Sequence, residues 1–123
     1  ILNNKNKFLL TKRLDNAFLG GLWELPGGKI KKGENKKKCI QRELKEELGI
    51  NNIKIENQLN ETRHTYSNFN VLLYPFVTSV WTGKPKNLAS SDLKWVTKKS
   101  MEKFPIPSAT KTILNQFFKE YNV

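Results

Sequence analysis

The chain has a single cysteine, Cys39, among its 123 residues. An internal disulfide framework is therefore excluded, and a reducing compartment is expected. No apolar run approaches the roughly 20 residues that a membrane-spanning helix needs. No signal peptide is visible, so a cytoplasmic protein that does not engage membranes is expected. No internal repeat or low-complexity linker stands out. Acid is scarce as well: Asp and Glu total 11 against 22 Lys and Arg, for a net charge of +11. With pI near 9.8, such a surface favours polyanions, although general abundance of Lys and Asn would produce the same balance. The lysines are spread along the chain, so no disordered basic arm is indicated.

What is present reads as one domain over residues 1–123. It opens at Ile1 rather than Met. The expectation is a chain lacking its first strand residues or cut from a longer one. Residues 7–12 read as a strand, 13–21 as a loop, and Leu22–Leu25 as a short extended piece stopped by Pro26-Gly27-Gly28. Ile40, Leu44 and Leu48 recur every fourth residue, predicting a helix from about Glu34 to Leu48 that Gly49 ends. Strands are predicted over 53–59, 62–67, 69–80 and 93–96. The third of these is long and apolar, so a central position is expected. Ser108 is expected to cap a final helix whose Ile113, Leu114, Phe117, Phe118 and Tyr121 share a core face. The sum is an α/β sandwich with a mixed sheet.

Against the scarcity of acid, four carboxylates crowd residues 27–50: Glu34, Glu43, Glu46 and Glu47. The last three share a helical face beside the apolar stripe. Like charges at such spacing repel by a few tenths of a kcal/mol per pair. A hard divalent cation seeks such oxygen clusters, and Mg²⁺ usually takes one or two carboxylates, several waters and substrate phosphates. A solvated face with salt bridges to Lys45 is the plain alternative. Gly27-Gly28 make a turn just before the helix, where a backbone carbonyl can face the cluster. Glu34 and Arg42, eight apart, are placed to pair and brace the loop.

Residues 28–50 resemble the Nudix box. Gly28, Glu34, Arg42, Glu43, Leu44, Glu46, Glu47, Gly49 and Ile50 fill every fixed position of it. The resemblance implies the Nudix fold, an α/β/α sandwich with a mixed central sheet. It implies Mg²⁺ or Mn²⁺ held by Glu43, Glu46, Glu47 and the Gly27 carbonyl, with Glu34 paired to Arg42. The reaction it implies is hydrolysis of a nucleoside diphosphate linked to another group, with Glu43 as the expected base.

Two branches of the family fit. One resembles the MutT-type enzymes, which cleave oxidised nucleoside triphosphates such as 8-oxo-dGTP to monophosphate and pyrophosphate. The other resembles the C-terminal domain of MutY-type adenine glycosylases, which helps to recognise 8-oxoguanine in duplex DNA. For the second branch, residues 61–69 match a histidine, aromatic, serine pattern at His64, Tyr66 and Ser67. The complete box favours the first. The resemblance also assigns Arg13, Trp23 and Thr110 to substrate binding, although Trp23 reads equally as a core residue and His64 as a structural one. Two departures stand out. MutT-type enzymes commonly carry a further glutamate six residues before a tryptophan like Trp95, and here that position is Ala89; Asp92 is nearby but out of register. The asparagine that reads the oxidised purine falls on Thr110, which lacks a paired amide donor and acceptor. A nucleotide sugar or dinucleotide polyphosphate ranks last as substrate.

Overall fold

The computed structural model describes residues 1–3 and 5–122. Its organising strand is β1 (Phe8–Lys12), whose Phe8, Leu9, Leu10 and Thr11 are all buried. A strand presents successive side chains to opposite faces. Phe8 and Leu10 accordingly join one apolar cluster and Leu9 the other. Strand β2 (Trp23–Glu24) and a later strand, Asp92–Val96, flank β1 on either side, both antiparallel. The two helices cover the two faces. Helix α1 (Lys36–Leu48) sets Leu44 and Leu48 against Leu9, Ile50 and Ile53. Helix α2 (Ser108–Tyr121) sets Ile113, Leu114, Phe117 and Phe118 against Phe8 and Leu10. The Phe8 ring lies 5.7 Å from Phe118 and 6.5 Å from Phe117. The result is the expected α/β sandwich, a helix on each side of a sheet.

Between the helices run β3 (Asn51–Lys54), β4 (Asn57–Gln58), β5 (Thr62–Thr65), β6 (Asn70–Leu73), β7 (Phe76–Val77) and β8 (Val80–Thr82), followed by β9 (Asp92–Val96) and a 3₁₀ turn at Ser100–Lys103. β3 pairs with β8, β4 with β7, and β5 with β6. Every one of these pairs is antiparallel, where a mixed sheet was expected.

The long strand expected over 69–80 is three short ones, and it is not central. Pro75 has no N–H to give a ladder, and its carbonyl instead accepts from the Leu59 amide at 2.9 Å. The buried Thr78 hydroxyl donates to the Lys54 carbonyl at 2.6 Å, where the pairing shifts register. The segment 53–59 breaks into β3 and β4 for the same reason.

Helix α1 begins at Lys36, not Glu34. Asn35 is the cap, its side-chain oxygen accepting from the Lys38 amide at 2.8 Å, as the preference for Asn at this position requires. Gly49, with φ of 69°, closes the helix by donating to the Lys45 carbonyl. Ser108 is no cap: it is the first residue of α2, Pro107 occupies the cap position, and no side chain caps this end. Proline just before the helix already presets the entry and has no amide to satisfy.

Candidate active site

The site forms where β2 hands over, through Pro26-Gly27-Gly28, to the loop that enters α1. Arg42 is the hub of that loop. Its Nε donates to Glu34 Oε2 at 2.6 Å and its Nη2 to Glu34 Oε1 at 3.0 Å and to the Lys29 carbonyl at 3.0 Å. Its Nη1 donates to Glu43 Oε1 at 2.8 Å and to Glu46 Oε2 at 3.2 Å. Glu34 also accepts from the Lys31 amide at 3.0 Å. A planar guanidinium suits such forked contacts. Arg42 and that amide hold the Glu34 carboxyl at about 2, far below its ordinary range. The arginine's own pKa moves further up.

Glu43 and Glu47, one helical turn apart, bring their carboxyls together beside the Gly27–Gly28 turn. A Cβ on Gly28 would overlap the Glu43 carboxyl, so only glycine leaves room for it. Burial, a hydrogen bond to Glu43 and the charge of Glu43 push Glu47 up to about 8; the Gly27 backbone amide opposes the shift and Glu24 adds to it. Two carboxylates that cannot both ionise comfortably share one proton.

Glu46, expected among the ion's ligands, lies on the outer side of the cluster. Its side chain is 54% exposed and its carboxylate faces Arg42. Among the described residues, no three His, Cys, Asp or Glu side chains converge as a metal cage. The chemistry of the remaining donors nonetheless fits a hard cation. Two adjoining carboxyl groups beside a backbone turn are what Mg²⁺ takes when waters and phosphate complete its shell.

A cavity of about 530 Å³ opens beside the turn. Of the sequence-assigned substrate residues, Arg13, Tyr66 and Thr110 line it with Gly27 and Gly28, while Trp23, His64 and Ser67 do not. Trp23 is a core residue, 7% exposed, with its ring 5.0 Å from Phe104. His64 packs edge-on against Tyr66 at 4.6 Å, and Ser67 at the hairpin tip bonds Asn68. Arg13 is already engaged: Nη1 donates to both Glu24 oxygens at 3.0 and 3.1 Å, and Nε to the Phe18 carbonyl at 2.5 Å.

Glu24 was missed in the sequence. It lines the cavity, burial raises its pKa against the pull of Arg13, and its charge reaches Glu47. Its signal was a lone acid inside the apolar run LWEL. The segment just before residue 89 is anchored on α1. The Leu88 amide donates to the Glu47 carbonyl at 3.0 Å and the Lys86 amide to the Leu48 carbonyl at 2.9 Å. The loop carrying Ala89 is thus tied to the end of α1. Asp92 stays in β9 opposite Lys12, its Oδ1 accepting from the Leu93 amide.

An antiparallel sheet between two helices, with a glycine turn feeding an acidic helix braced by one arginine, defines an α/β sandwich that gathers carboxylates against a turn whose glycines line a cavity. The model of the NUDIX domain matches residues 1–116, and the chain belongs to that family. It is a Nudix hydrolase, an enzyme. An 8-oxo-dGTP diphosphatase of Buchnera aphidicola (Acyrthosiphon pisum strain) is 30% identical over 118 residues, 96% of this chain and 92% of the relative. A MutT protein from Methanosarcina mazei Go1 superposes with a TM-score of 0.86 at 25% identity, over 99% of this chain and 90% of that one. The C-terminal domain of mouse MUTYH, solved with human PCNA, superposes with a TM-score of 0.72 at 20% identity, over 94% and 78%. That last likeness is one of fold. No helix among the described residues is long and apolar enough to cross a membrane.

Proposed function

We propose that this chain hydrolyses oxidised nucleoside triphosphates such as 8-oxo-dGTP to the monophosphate and pyrophosphate, using Mg²⁺ or Mn²⁺ in the cytoplasm. The observation that carries the reading is the shared site of Glu43 and Glu47 against the Gly27–Gly28 turn, where Glu47 is held up at about 8. A divalent cation would replace the proton held between them. The 8-oxo-dGTP diphosphatase that matches 96% of the chain supports the substrate class.

In this reading Glu43, Glu47 and the Gly27 carbonyl would hold the ion, with Glu46, now on Arg42, as a further carboxylate within the same helix. Bound metal neutralises phosphate charge and sharpens a water for attack. Arg42 fixes Glu43 Oε1 and so orients this carboxylate, which would take the water's proton as general base once the ion has replaced the proton it shares with Glu47. Glu34 keeps Arg42 in place and touches no substrate. Tyr66 and Thr110 line the space for the base, and Thr110 offers it one hydroxyl. A single hydroxyl cannot read both edges of an oxidised purine, so unmodified triphosphates are also expected as substrates.

Purified protein with Mg²⁺ and a nucleotide panel should release pyrophosphate. Glu47→Gln should lower kcat by about 100-fold or more, the scale of losing a positioned charged group in a dry site. A protein that turns over no triphosphate with either ion overturns this assignment.

A further inference from the structure

Six lysines lie between residues 29 and 38, and all six are exposed. Among the described residues none of them is in a salt bridge. The one acid within the run, Glu34, is taken by Arg42 and the Lys31 amide. The charge of this loop is therefore unanswered by the fold, and it sits within about one Debye length of itself.

The loop meets the β5–β6 hairpin. Lys36 Nζ lies 4.0 Å from the centroid of the Tyr74 ring, and Tyr74 directly follows β6. At the far end of the hairpin Tyr66 and Phe69 stack at 4.8 Å with planes 28° apart. Phe18, from the loop after β1, leans on both at 5.3 and 5.7 Å. These rings are not core: Phe18 is 57% exposed and Phe69 44%. Arg63 adds a cation on the exposed side of β5. Lys29, Lys36, Tyr66 and Tyr74 share one cavity rim, so the basic and aromatic halves are continuous.

We propose that this strip, from the lysine loop 29–38 to the aromatic hairpin tip, is a docking surface for single-stranded nucleic acid. Lysines answer a phosphate backbone, and the exposed rings of Phe18 and Phe69 accept unstacked bases of any sequence. A duplex hides its base faces, so the rings add nothing to duplex binding. The proposal goes beyond nucleotide hydrolysis and is measured without turnover.

The test is fluorescence anisotropy with a labelled oligothymidylate of about twelve nucleotides, long enough to cross such a site. Affinity should fall roughly 20-fold between about 50 and about 200 mM salt, the slope of some three phosphate contacts on a single strand. The triple variant Lys32→Ala, Lys37→Ala, Lys38→Ala should bind about tenfold or more weakly and show a flatter salt slope. Phe18→Ala with Phe69→Ala should weaken binding about tenfold with the slope unchanged. Thermal unfolding of each variant shows that the fold is intact, and Phe18→Leu, which keeps the apolar bulk but not the flat ring, should also bind less well. Equal affinity for a duplex of the same length, indifference to either set of substitutions, or uptake by phosphatidylserine vesicles with the same dependence on both sets overturns the proposal.

Discussion

At the scale of single residues, the site depends on two features with opposite demands: space at Gly28 and crowding around Arg42. Gly28→Ala forces the Glu43 carboxyl aside. Displacement of a reacting group by about 1 Å is enough for a rate loss near 100-fold. The expected outcome is a kcat lowered 10- to 100-fold, on the same scale, with the unfolding temperature little changed; steady-state kinetics and a thermal melt read the two separately. Glu34 works through Arg42, so its loss shows first in stability. Its folded pKa, about 2, lies below the ordinary 4.5. A depressed carboxylate contributes stability that is present above the unfolded value and is lost as pH falls through the folded one. Glu34→Gln should therefore melt below the wild type at neutral pH, and the gap should close between 4.5 and about 2. A gap that is constant over that window contradicts the pairing. The role of Glu34 was legible from its spacing to Arg42. The engagement of Arg13 with Glu24 was not, because the two are eleven residues apart and meet only across the β1–β2 pair.

Among elements, α1 and β1 carry most of the positional burden. Leu9 is fully buried on the α1 side of β1, against Leu44 and Leu48. Leu9→Ala should cost about 2–5 kcal/mol, the range for a buried leucine that leaves a cavity. Chemical denaturation measures it, with an unchanged m-value expected. The loop over residues 84–88 matters for a different reason. Its amides satisfy carbonyls at the end of α1 that would otherwise lack partners, and so it steadies the turn that bears Glu47. Apolar periodicity made α1 and α2 visible in the sequence. It could not show that 69–80 is broken, because an apolar run looks alike whether a sheet continues or stops at Pro75 and Thr78. Nor could it separate Ser108 as cap from Ser108 as first helical residue, a difference set by the backbone of Pro107.

For the whole molecule, the positive surface and the acidic cluster on α1 belong to one electrostatic arrangement. In the proposed reaction a polyphosphate would be drawn in by the basic surface and would meet, beside the Gly27–Gly28 turn, carboxylates that a cation can bridge. Because Glu47 holds a proton at neutral pH, ion uptake must displace it. Calorimetry of Mg²⁺ or Mn²⁺ binding with a nucleotide analogue, run in buffers of different ionisation enthalpy, should show proton release at pH 7. The release should vanish above about 8, and affinity should rise over the same interval. Uptake without proton release would show that Glu47 carries no proton before the ion binds. The sequence by itself determined the helix stripe, the box that identifies the family, and the pairing of Glu34 with Arg42, since all of these rest on spacing within one element and its entry loop. Only the tertiary structure decided that Trp23 is core, that Arg13 is held by Glu24, and that the loop leading to residue 89 is tied to the end of α1. Each of these depends on which side chains from distant segments compete for one neighbour, and local periodicity carries no record of that competition.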